Sequence, residues 1–124
     1  MQTATPASQS AQAGVIAVVD RFNEAWGQHD LDAAIALLSE DCVFDATAPS
    51  PDGTRHVGRD AIRAAWQAIF DDRHSLFTVE ESFATDNRLV QLWRYDWTDG
   101  HVRGVDVITV RDGKIAAKLS YVKG

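Results

Sequence analysis

The run HVRGVDVITVR, His101–Arg111, is a strand sequence with a single carboxylate, Asp106, among β-branched and apolar residues. Successive side chains of a strand point to opposite faces. Val102, Gly104, Asp106, Ile108 and Val110 therefore share one face, and Arg103, Val105, Val107, Thr109 and Arg111 the other. The face without arginine suits an interior, which turns Asp106 inward. Burial costs an ionised carboxylate its hydration, and the usual escapes are a raised pKa or a dedicated partner. Asp106 is thus either a reactive acid or the structural partner of an arginine, for which Arg94 and Arg103 are at hand.

Outward from this run, Ser75–Thr85, Arg88–Thr98, His101–Arg111 and Lys114–Val122 read as four strands. Asp86-Asn87, Asp99-Gly100 and Asp112-Gly113 join them as two-residue hairpin connections, which makes an antiparallel meander. Upstream the period changes. From Gly14, apolar Val15, Val18, Val19, Phe22 and Trp26 recur at helical spacing. Asp30 caps a second helix with Leu31, Ile35 and Leu38 as its stripe, and a third follows Gly58 and Asp60 with Ile62, Trp66, Ile69 and Phe70 on one face. Between them lie a short β run at Cys42–Ala46, a proline- and glycine-marked loop, and a short strand at Arg55–Val57. The fold class is α+β, with three N-terminal helices packed on a strongly curved antiparallel sheet that encloses a pocket.

One domain, residues 14–124, accounts for the apolar patterning, and residues 1–13 read as a flexible tail without the basic and apolar regions of a secretory signal. A net charge of -6 excludes a general affinity for nucleic acid or anionic lipid. No apolar run reaches the roughly 20 residues of a membrane span, and the expected location is cytoplasmic. The single cysteine, Cys42, reads as a small buried hydrophobe. The outer face of the sheet mixes Val105 and Val107 with aromatic and charged residues, which predicts a homodimer through the sheet.

The residues expected to line the cone are Phe22, Trp26, Trp66, Phe70, Trp93, Tyr95 and Tyr121, around Asp106 and with His56 and Asp45 near the mouth. Core filling competes as a reading of these rings, but four tryptophans in so short a chain suit an apolar pocket for a small hydrophobic, ring-containing molecule. His56 lies between a loop and the third helix, where an imidazole serves as acid or base. His29, His74 and His101 fall at turns and read as solvated, and no histidine pair has metal-ligand spacing. Glu81 shares strand parity with Phe77, Val79 and Phe83, which makes it a candidate for a cross-strand pair with Arg94.

The runs VVDRFNEAWGQHDLDAAIALLSEDCVFDA, GRDAIRAAW and VDVITVRDGKIA, with the order of elements, resemble the SnoaL-like branch of the NTF2-like superfamily. That group includes ketosteroid isomerases, polyketide cyclases and limonene epoxide hydrolases. The resemblance implies a conical fold and places Asp106 where ketosteroid isomerases keep a protonated aspartic acid as an oxyanion donor. Their oxyanion tyrosine falls on Phe22 and their general base on Ala46, one residue after Asp45. The expectation is a cofactor-independent enzyme that moves a proton on a small carbonyl or ring compound, using Asp106 with His56 or Asp45. A non-catalytic binding or dimeric assembly domain of the same fold is the alternative.

Overall fold

In the computed structural model, which describes residues 6–124, helical spacing buries Val15, Val18, Val19, Phe22 and Ala25 along one side of α1, Pro6–Gly27. This helix begins ahead of Gly14, so residues 6–13 of the expected tail are helical, and residues 1–5 lie outside the described residues. Asp30 caps α2, Leu31–Ala36, by accepting from the backbone N–H of Ala33 at 3.1 Å. Leu38, expected on that helix, instead opens β1, Leu38–Asp45. The hairpin strand β2, Arg55–Val57, leads into α3, Arg59–Asp71, through Gly58. Gly58 has a φ of +92°, which a side chain would strain, and its N–H donates to the carbonyl oxygen of Cys42 at 2.8 Å.

The strands follow as β3 (Leu76–Thr85), β4 (Arg88–Trp97), β5 (Gly100–Arg111) and β6 (Lys114–Val122). Asp112 and Gly113 both have positive φ, the conformation that closes a tight hairpin. The β4–β5 turn is Thr98-Asp99, one residue earlier than expected, because Gly100 already pairs with Trp97. Strand order is β2-β1-β6-β5-β4-β3. The expectation of an antiparallel sheet fails at one place: β1 pairs with β6 in parallel, since the first long strand runs alongside the last in the same direction.

Besides a register shift in β1 between Leu38 and Val43, bulges in β3 and β6 set which residues face inward. In β3, Val79 pairs with Trp93 and Glu81 with Leu92, leaving Glu80 as the extra residue. In β6, Ile115 pairs with Val110 and Ala117 with Thr109, leaving Ala116 extra. Each extra residue inverts the alternation beyond it. The helices cover the concave face, where the core gathers around Phe22, Leu38, Ile62, Trp66, Ile108 and Ile115. No helix among the described residues is long and apolar enough to cross a membrane.

Candidate functional site

Register fixes the inner wall row by row. One row runs Ala84, Leu89, Ile108, Lys118, Phe44 and His56 across β3, β4, β5, β6, β1 and β2. The adjacent row runs Ser82, Gln91, Asp106 and Ser120. Towards the open end come Val79, Trp93, Gly104 and Val122, then Phe77, Tyr95 and Val102. A cavity of about 420 Å³ opens against this wall, closed on the helical side by Trp26, Ala65 and Ile69. Its walls are apolar except for Lys118, Ser120, His56, Thr47 and Tyr95.

Asp106 is inward and fully buried, as its strand parity requires. Its carboxylate takes a hydrogen bond from Ser120 Oγ at 2.7 Å and one from Gln91 Nε2 at 3.0 Å, and Lys118 Nζ lies 3.5 Å away. Asn23 on α1 in turn donates to Gln91 Oε1 at 2.8 Å and fixes that amide. Neither expected arginine takes part. Arg94 pairs with Asp96 at 2.9 Å and Arg103 with Glu80 at 2.9 Å, both on the outer face. Asp106 does not itself line the cavity; Ser120 and Lys118 stand between it and the open space.

Lys118 is the residue that sequence reasoning missed. Counting alternately from Ile115 sends Lys118 outward and Tyr121 inward, and the bulge at Ala116 reverses both. Lys118 is 7% exposed, donates to Ser120 Oγ at 3.0 Å, and holds its amine over the rings of Phe44, Trp26 and Trp66 at 4.9, 5.5 and 6.0 Å. The available signal was the pair Ala116-Ala117, small residues that interrupt the strand before the lysine.

His56 does face the cavity, stacked on Phe44 at 5.7 Å between centroids. Trp26, Trp93 and Tyr95 line it as expected, whereas Phe22, Trp66 and Phe70 are buried core beneath it. Tyr121 is 59% exposed on the outer face, so its expected place in the pocket is corrected. Asp45 is corrected too: β1 has no bulge at its end, so Ala46 lines the cavity while Asp45 turns away and pairs with Arg55 at 2.6 and 2.8 Å. Those hydrogen bonds hold the Asp45 carboxyl below the usual carboxylate range. Glu81 lies across the Glu80 bulge from Phe77 and has no bond to Arg94. His29, read as solvated, is half-buried with Nδ1 3.1 Å from the Phe70 carbonyl oxygen and Nε2 3.2 Å from that of Ser75.

Two further features bear on a ligand. Trp26, Trp66 and Trp93 each keep a buried indole N–H with no acceptor. Trp93 also packs against Gly104, where a Cβ would overlap its ring and the carbonyl oxygen of Tyr121. Among the described residues no three His, Cys, Asp or Glu side chains come together as metal ligands.

The SnoaL-like domain family matches this chain over residues 19–118. An NTF2-like protein of unknown function from Mesorhizobium loti is 39% identical, with a TM-score of 0.84 over 91% of this chain and 93% of that one. A Kribbella flavida protein provisionally called a ketosteroid isomerase is 16% identical, with a TM-score of 0.77 over 91% of this chain and 80% of that one. A Xanthomonas campestris protein provisionally called a polyketide cyclase is 23% identical, with a TM-score of 0.73 over 91% and 93%. The last two likenesses concern the fold. No curated protein matches the chain.

Proposed function

The chain belongs to the SnoaL-like domain family within the NTF2-like fold, and on that premise we propose that it is a cofactor-independent enzyme that transfers protons on a small, apolar, ring-containing carbonyl compound. The observation that carries this reading is the Lys118 amine, held by Ser120 and Asp106 within an aromatic cavity. A ketone oxygen directed at Lys118 Nζ would meet a preorganised donor in a site of low dielectric, which favours the negative charge that develops there during enolisation. His56, in the same transverse row, is the group placed to remove a proton from the neighbouring carbon. Asp106 positions the amine and does not touch substrate.

The Lys118 ammonium donates and cannot accept, so substrates whose polar atom is an oxygen acceptor fit it. The test is deuterium exchange at the carbons next to the carbonyl of a cyclic ketone such as 2-tetralone, followed by NMR, with tryptophan emission reporting binding. The wild type accelerates exchange. Lys118→Met abolishes it and His56→Gln reduces it. Binding without exchange in the wild type would make the protein a binding domain and not an enzyme.

A homodimer through the outer face of the sheet is proposed alongside. Phe83, Val90, Val107 and Leu119 form one transverse row there, and Leu92, Val105 and Tyr121 the next. Phe83 is 56% and Tyr121 59% exposed, more apolar ring than an isolated surface usually shows. Sedimentation velocity is expected to give a dimer that Phe83→Arg separates; a monomeric wild type at micromolar concentration overturns it.

A further inference from the structure

Resting on that reading of the cavity, we infer that Lys118 is a nucleophile, and that its Nζ condenses with the aldehyde or ketone carbon of an apolar ring compound to give a protonated imine. Covalent amine catalysis needs a lysine withdrawn from water, with an open face towards the substrate and a route for protons. Lys118 meets all three conditions. It is one of three lysines in the chain, and the other two differ from it: Lys114 donates to the Ala36 carbonyl oxygen at 2.8 Å from an exposed position, and Lys123 is exposed near the end of the chain.

The proton route is the Ser120 hydroxyl. Ser120 Oγ is 3.0 Å from Lys118 Nζ and 2.7 Å from Asp106 Oδ1, so it bridges a pair whose direct separation is 3.5 Å. Passing one proton from the ammonium through Ser120 to Asp106 leaves a neutral amine beside a neutral acid. The cluster has no net charge before or after, so the transfer exposes no isolated charge to the low-dielectric interior. Gln91 continues to donate to the other oxygen of Asp106.

The amine lone pair then attacks the carbonyl carbon. A C–N bond forms, the carbonyl π pair moves to oxygen, and one nitrogen-bound proton passes to that oxygen to give a carbinolamine. Asp106 returns its proton through Ser120 to the hydroxyl, which leaves as water while the nitrogen lone pair closes the C=N bond. The net change is ammonium plus carbonyl to iminium plus water, with Asp106 again a carboxylate opposite the cation. Phe44, Trp26 and Trp66, which already face the ammonium, face the iminium in the same way.

The experiment is reductive trapping on the full chain with 2-naphthaldehyde and sodium cyanoborohydride, read by intact mass and peptide mapping, with tryptophan emission followed in parallel for occupancy. The expected result is one adduct on Lys118, forming at least about tenfold faster than on Lys114 or Lys123, which carry ordinary solvated amines. This comparison lies within one folded molecule and needs no variant. Ser120→Ala is expected to slow trapping while emission still reports binding, and Lys118→Arg to abolish the adduct. Quenched emission with equal labelling of the three lysines overturns the imine and leaves the cavity reading in place. Unchanged emission together with unselective labelling overturns both.

Discussion

A lysine and an aspartate buried together are held less by their attraction than by the cost of parting them. Lys118 and Asp106 are both almost fully enclosed, and each has lost its water. Removing one partner strands the other's charge, which typically costs about 3–5 kcal/mol, whereas replacing both with neutral groups is far milder. Asp106→Asn and Lys118→Met should therefore each lower the urea midpoint strongly, and the double variant Asp106→Asn/Lys118→Met should recover much of the loss. An additive double variant would mean that the two side chains do not interact. Cys42 gives a second prediction at this scale. It is completely buried, and burial pushes its thiol up to about 11, with the Asp41 carboxylate adding to the effect. A thiol-specific disulfide reagent at pH 8 should leave the folded protein unlabelled and react at once in denaturant; rapid labelling of the native state would contradict the buried position.

The elements show what could be read in advance. Helix positions follow from apolar residues at a period of 3.6, and strand positions from turn residues, so the end of α1, the two shorter helices and the four long strands fall close to their expected limits. Asp106 was legible because β5 keeps its alternation from Val102 to Ile108. The rest of the site was not, because a bulge costs one residue and reverses everything beyond it. Ala116 hid Lys118 and promoted Tyr121, and Glu80 put Phe83 on the outer face. The start of α1 was also lost, since residues 6–13 have no apolar stripe to announce a helix. A prediction tests the element packing directly. At Gly104 the strand has no room for a Cβ beside Trp93 and the Tyr121 backbone. Overpacking of this kind usually costs about 1–3 kcal/mol, so Gly104→Ala should lower the denaturation midpoint without changing the slope and should shift the tryptophan emission.

For the whole molecule, charge is divided between an interior pair and a rim of exposed ones. Asp45 with Arg55, Asp96 with Arg94, Glu80 with Arg103 and Asp41 with Arg111 all lie outside the core. Each of these carboxyls is held below its usual range, the first three chiefly by hydrogen bonds from the arginine and Asp41 first by Ser39 and then by Arg111. In the unfolded chain they take up protons near pH 4, while in the folded protein they stay ionised to lower pH. The unfolded state therefore binds more protons in that window, and stability falls as pH falls. Since all four pairs are open to solvent, each contributes little alone and salt weakens them together. The thermal midpoint should be nearly flat from pH 7 to about 5 and decline below about 4, as the unfolded-state carboxyls titrate. Asp45→Asn has no such proton to gain, so its midpoint should lie below the wild type at pH 7 and converge on it in acid. Curves that stay parallel down to pH 3 would show that the Asp45–Arg55 pair adds nothing to stability in solution.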